Sequence, residues 1–260
     1  MKRRNFVKNA ATASMIVGSL TSSTLANATP KATRELYEIR VYQLKNRGGL
    51  NKFGAYLKDA LIPAMNRAGV NNIGVFTELH SPEPPRVYVI LPYSSEGELV
   101  KVPSKLQKDS EFAEAAKKHN ETPSANAVYS RMESSLLYAF EGMPQMEKPT
   151  GKAGIFELRE YESHNADAGL RKIAMFNNEE IELFRKVKLN PLFFGQTIIG
   201  SKLPSLTYML WFEDMDAREA NWKKFLEHPD WNEMKNKKEY KDSVSKVNKI
   251  YLEPVEYSQI

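Results

Sequence analysis

The run Tyr37-Glu38-Ile39-Arg40-Val41-Tyr42 returns 119 residues later as Phe156-Glu157-Leu158-Arg159-Glu160-Tyr161. The copies then stay in step: Leu50, Phe53, Leu57, Leu61 and Met65 recur at helical spacing, as do Leu170, Ile173, Phe176, Glu180, Leu183 and Val187 with one polar interruption. A chain built this way is two copies of one unit, and its fold is limited to what a duplicated unit can close. Glycine-marked segments at Gly74-Thr77 and Gly195-Ile199 predict second strands. Prolines at Pro84-Pro85 and Pro204 predict the turns into third strands, Val87-Leu91 and Leu206-Phe212, which are apolar on both faces and need cover on both. Helical stretches over 97–119 and 216–228, the latter continuing past Trp231, lead to last strands near Ser134-Phe140 and Lys249-Val255.

Strand, helix, strand, strand, helix, strand is the ferredoxin-like order. Both helices of such a unit cover one face of a four-stranded antiparallel sheet and leave the other face apolar and bare. The other half of the chain is the natural cover. The expected fold is therefore α+β: two tandem ferredoxin-like βαββαβ units packed sheet to sheet as a fused dimeric α+β barrel. The seam is the segment 142–151, where Gly142, Pro144, Pro149 and Gly151 bracket a short polar stretch that reads as linker. The expected domains are 29–141 and 152–260.

The first 28 residues read as an address label. A basic stretch with Arg3 and Arg4 precedes a weakly apolar run and Ala26-Asn27-Ala28, a small-x-small cleavage pattern. Arg3, Arg4, Phe6 and Lys8 resemble the twin-arginine motif, which predicts export to the periplasm or beyond and a mature chain starting at Thr29. The seven serines and threonines between Thr12 and Thr24 argue against a membrane anchor. The net charge of +5 falls almost to zero once Lys2, Arg3, Arg4 and Lys8 are removed, leaving 33 basic against 32 acidic residues. No basic face survives to suggest a nucleic-acid or membrane partner. With no cysteine, thiolate catalysis, thiolate metal sites and disulfides are excluded.

The first strands, together with Trp222-Lys223-Lys224-Phe225-Leu226-Glu227-His228-Pro229-Asp230-Trp231, resemble the NIPSNAP family within the dimeric α+β barrel superfamily. The likeness runs over essentially all of the mature chain. The first half departs from it, with Lys105 to Phe112 standing where the tryptophan-rich segment would be. Members of that family generally lack an established enzymatic activity. The resemblance therefore says little of function, and because the sequence displays no convergent acid–base set the expectation is a non-catalytic small-molecule-binding or protein-interaction module. The alternative, drawn from elsewhere in the superfamily, is an oxidoreductase of the cofactor-independent or haem-dependent monooxygenase type.

If the apolar alternates Tyr37, Ile39 and Val41 face the helices, then Glu38, Arg40 and Tyr42 point into the barrel with Glu157, Arg159 and Tyr161. These six groups would cradle a small polar or anionic ligand. Equally, each arginine would pair with Glu38 or Glu157, because a buried unpaired charge costs several kcal/mol. His164, just after the second copy's first strand, is the histidine best placed at the rim of such a cavity, a candidate acid–base group or, if haem were bound, axial ligand. His80, His119 and His228 read as surface or capping residues. No histidine pair has metal-ligand spacing, so no metal and no cofactor are expected. Ser243-x-x-Lys246 stands without its companion motifs, and there is no phosphate loop or nucleophile elbow. Trp211, Trp222 and Trp231 read as core.

Overall fold

The computed structural model of the chain describes residues 33–260. The signal segment expected over 1–28, with Arg3 and Arg4, lies outside the described residues. Eight strands close into one barrel in the order β1-β3-β2-β8-β5-β7-β6-β4. The first half supplies β1 (Leu36–Leu44), β2 (Gly74–Glu78), β3 (Arg86–Tyr93) and β4 (Tyr129–Ala139). The second supplies β5 (Ile155–Glu162), β6 (Asn190–Ile199), β7 (Ser205–Phe212) and β8 (Lys246–Pro254). Each half contributes its four strands in the same ferredoxin-like order, and β2–β8 and β4–β6 pairing joins the halves. Closure leaves no bare sheet edge. All neighbours are antiparallel, so β1 and β5 run in the same direction and the pseudo-two-fold lies along the barrel axis.

Two expected boundaries move. The strand expected from Gly195 begins at Asn190, because Leu192, Phe193 and Phe194 are all buried and the ladder with β7 runs from Asn190 past a bulge at Leu192. The last strand of the first half begins at Tyr129. Its first residues are polar, so hydropathy alone does not mark them.

Helices α1 (Gly49–Tyr56) and α2 (Ile62–Ala68) are joined through a π turn at Leu57–Leu61, and α5 (Ala166–Met175) and α6 (Ile181–Lys186) through one at Phe176–Glu180. The two π turns are 119 residues apart, so the irregularity belongs to the repeat. The second helical region is α3 (Glu96–Gln107) with α4 (Ser110–Asn120), and α7 (Met215–Glu227) with α8 (Pro229–Met234). Ser95 and Asp214, again 119 apart, cap α3 and α7 by accepting from the amides of Glu98 and Ala217. His228 caps α8, its Nδ1 accepting from the Asp230 amide at 3.2 Å.

Three apolar cores result. One lies under the helices of the first half, around Tyr42, Phe53, Leu57, Leu61 and Val89. A second lies under those of the second half, around Tyr161, Phe176, Phe184, Phe194 and Tyr208. The third fills the barrel with Tyr37, Ile39, Tyr88, Phe156, Leu158, Phe193 and Met209, taken from both halves. At the end where β1 and β5 start, Tyr37 packs on Phe193 and Phe156 on Phe76, with ring centroids 4.8 Å apart in each pair.

The segment between the halves is a strap as much as a linker. The Phe140 amide donates to the Phe194 carbonyl and that of Glu147 to Leu192, while after β8 the Val255 amide donates to Val75 and that of Gln259 to Ile73. Ile73 and Val75 are the repeat equivalents of Leu192 and Phe194, so linker and C-terminal tail do the same work on opposite seams. Met146, Ala153 and Ile260 then pack against the barrel core beside Trp211. The strand-start end of the barrel is thereby plugged. No helix among the described residues is long and apolar enough to cross a membrane.

Candidate functional site

The register of the first strands is the reverse of the expected one. Tyr42 belongs to the core beneath the helices, and Ile39 to the barrel interior. Glu38, Arg40, Tyr42 and their counterparts Glu157, Arg159 and Tyr161 thus sit in the helix–sheet layers, one group in each half, and line no common cavity. The physical reason is closure. The inside of a narrow eight-stranded barrel has to be filled by side chains from all strands, and Tyr37, Ile39 and Val41 supply that filling with fewer polar atoms than the alternate set would. The helix–sheet layer has hydroxyl and indole partners to offer the charges.

The expected pairing is present. Arg40 donates to the Glu38 carboxylate from Nε and Nη2 at 2.7 and 2.8 Å, and Tyr93 and Ser134 hydroxyls complete it at 2.9 and 2.8 Å. Burial raises the Glu38 carboxyl pKa, but the Arg40 fork and charge with the two hydroxyls outweigh it and hold the group below its ordinary range. In the second half Glu157 is fully buried and accepts from Arg159 Nη1 at 3.0 Å, from Arg218 Nε and Nη2 at 2.9 and 3.1 Å, and from Trp222 Nε1 at 2.8 Å. Arg218 and Trp222 come from α7; the equivalent positions in α3 are Leu99 and Pro103, so in the first half Tyr93 and Ser134 do that work. Tyr161 and Tyr208 share a hydrogen bond at 2.8 Å, and burial raises both phenols' pKa values. Next to them lies the buried pair Lys172–Glu180, 2.5 Å apart, with the ammonium 4.3 Å from the Phe176 ring. These contacts account for the conspicuous polar residues of the first strands as structural pairs.

His164 is exposed and is not among the residues lining a cavity. His119 is half-buried, its ring stacked 4.0 Å from that of Tyr56, and burial lowers its pKa. Among the described residues no group of three or more histidines, aspartates and glutamates could hold a metal ion.

The space between the halves lies at the other end of the barrel, where β1 and β5 finish. A cavity of about 180 Å³ opens there. Its apolar wall is Ile39, Val41, Tyr88, Leu158 and Ile250, and its hydroxyls come from Ser135, Thr197, Ser201 and Thr207. Its charged groups arrive already matched. Arg86 at the rim meets Glu78 at 2.7 Å, and Glu78 also accepts from the Tyr88 hydroxyl at 2.5 Å. Lys202, on the turn between β6 and β7, meets Glu160 at 2.8 Å, and Asn248 donates to Glu160 at 3.0 Å and to Glu162 at 2.7 Å. The pseudo-two-fold pairs Val41 with Glu160 and Tyr88 with Thr207, so the cavity is asymmetric: the second half supplies most of its polar groups.

Neither His164 nor the cavity fits a haem. The cavity falls below the roughly 300–1,000 Å³ usual for drug-sized ligands; none of its lining residues is a histidine, cysteine or methionine, and its tyrosine, Tyr88, gives its hydroxyl to Glu78.

Comparison with known proteins follows the same halves. A profile of the NIPSNAP family matches residues 37–142 and again 156–259. The chain belongs to the NIPSNAP family. A NIPSNAP-like domain protein from Burkholderia xenovorans matches at 23% identity over 42% of this chain and 90% of its own, with a TM-score of 0.38. Two bacterial structures match nearly the whole barrel at low identity. One is a candidate monooxygenase from Fusobacterium nucleatum, with a TM-score of 0.59 and 9% identity over 86% of this chain and 94% of its own. The other, from Lactobacillus acidophilus and described in the same way, gives 0.56 and 11% over 85% and 94%. At these identities the likeness is one of fold, the dimeric α+β barrel, here with both NIPSNAP repeats in one chain. A comparison with curated proteins returned no match.

Proposed function

We propose that this NIPSNAP protein is an exported, non-catalytic small-molecule-binding module whose ligand sits at the open end of the barrel, between the two halves. The observation that carries the reading is the cavity itself: apolar at depth, ringed by hydroxyls, built from both repeats and placed opposite an end that linker and tail close. A compact amphiphile suits it, with an apolar body against Ile39, Val41 and Leu158 and a polar head at the mouth. The monooxygenase reading has only a likeness of fold behind it, and function resides in sites rather than folds. The cavity wall has no histidine to move a proton.

The test is calorimetric titration with 2-phenylethanol, a neutral probe of suitable size. Binding to the wild type is expected, with its loss in Val41→Trp, which fills the cavity from its partly exposed side, and partial loss in the milder Val41→Phe. Melting curves check that both variants remain folded. Absence of binding to the wild type, or full binding by both folded variants, would overturn the reading.

The exported address rests on Arg3, Arg4, Phe6, Lys8 and the Ala26-Asn27-Ala28 site. Cell fractionation should find the mature chain, starting at Thr29, outside the cytoplasm, and replacement of Arg3 and Arg4 together by lysine should retain it inside. Cytoplasmic wild-type protein would contradict export; normal export of the variant would reassign the route to the general secretory one.

A further inference from the structure

Taking the mouth cavity as the binding site, as proposed above, we infer that Glu160 is its recognition group, and that the ligand presents a hydrogen-bond donor, a hydroxyl or ammonium, and no anionic head. Glu160 stands on the inward face of β5 two residues beyond Leu158, where the first half has Val41. An acidic side chain at one of two pseudo-equivalent inward positions gives the cavity a direction: carboxylate on one wall, apolar surface on the opposite one.

The bonds of Glu160 are unevenly shared. Oε1 accepts both from Lys202 Nζ and from Asn248 Nδ2, at 2.8 and 3.0 Å, while Oε2 meets no donor among the described residues. Asn248 spends its other hydrogen on Glu162, so it fixes the carboxylate's orientation instead of competing for it. Lys202 is different. It lies on the turn after β6 with its side chain about half exposed (48%), whereas Glu160 is mostly covered (28%). A lysine on an exposed turn reaching into a cavity carboxylate occupies the place that a ligand's donor would take, and a partly exposed ion pair is weak enough to be exchanged. A ligand hydroxyl can bond to Oε2 with Lys202 in place; a ligand ammonium displaces the lysine.

Anions are disfavoured by the same arrangement. Both cations at the mouth already meet carboxylates, Arg86 with Glu78 and Lys202 with Glu160. Glu133, also at the rim, is largely exposed, with Arg131 3.6 Å away. An anionic head would have to break open either ion pair and then sit beside the carboxylate left behind, a repulsive arrangement of the kind that sets specificity. The recognition chemistry is therefore opposite to that which Arg40 and Arg159 would confer from inside the barrel.

Three probes with one body and three heads separate the cases: 2-phenylethanol, 2-phenylethylamine and phenylacetate, titrated calorimetrically at neutral pH. The wild type is expected to bind the alcohol and the amine and to bind phenylacetate at least tenfold more weakly. Lys202→Met should tighten the amine severalfold by removing its internal competitor. Glu160→Gln should weaken the amine by tenfold or more, retain the alcohol within a few fold, and reduce the handicap of phenylacetate to under threefold. The inference is overturned if phenylacetate binds the wild type as well as the alcohol does, or if Glu160→Gln leaves the ranking unchanged. In the first case, loss of phenylacetate binding in Val41→Trp would keep the cavity as the site and remove only the donor rule. Failure of all three probes to bind would remove the cavity reading with it.

Discussion

A charged residue on an amphipathic strand is placed by which layer can satisfy it, and Glu38 and Arg40 illustrate the point. Alternation correctly put them together on one face and correctly predicted their pairing, but it could not say which face. The decision depends on Tyr93, 55 residues away, and on Ser134, 96 away, whose hydroxyls lie in the helix–sheet layer. The cavity residues were legible only through the repeat. Aligning the copies sets Glu160 against Val41 and Thr207 against Tyr88, two polar intrusions on otherwise apolar inward faces. The Glu38 network has a pH signature. Its folded-state pKa lies below the unfolded carboxylate value of about 4.3, so its contribution to stability is complete above that pH and is lost as pH falls through the folded value. Urea denaturation followed from neutral pH down into the acid range should show a smaller acid loss for Glu38→Gln than for the wild type. Equal acid slopes would mean that the Arg40 fork leaves the carboxyl unperturbed.

The two copies use one helix with one π turn and fill it with different chemistry. Lys172 and Glu180, both almost wholly buried, stand where the first half has Phe53 and Leu61. The repeat itself thus records that the position accepts either an ion pair or an apolar pair. A sequence reading finds Glu180 as a polar interruption in an apolar stripe but not its partner, because the π turn shifts the helical spacing between them. Removing one member strands a buried charge, so Lys172→Met or Glu180→Leu alone should cost about 3–5 kcal/mol. The double change Lys172→Phe with Glu180→Leu, which copies the first half, should fall within about 1 kcal/mol of the wild type or above it, since replacing a whole buried pair is often neutral or stabilising. Additive losses in chemical denaturation would show that the pair is not coupled.

At the scale of the whole molecule the duplicated strand carried most of the answer. It implied two ferredoxin-like units, their antiparallel order and the need for each sheet to be covered by the other. The roles of the linker and the tail were not legible, because their backbone bonds to Leu192 and Phe194, and to Ile73 and Val75, leave no mark on hydropathy. Those two straps give the barrel one closed end and one open one, and the open end is where a ligand is proposed to enter. Methyl-labelled NMR during titration with 2-phenylethanol examines this most directly. Saturable shifts are expected at Ile39, Val41, Leu158 and Ile250, with none at Leu57 or Leu183 beneath the helices. Shifts confined to the helix layers, or no saturable shift at any of these methyls, would contradict a binding site between the two halves.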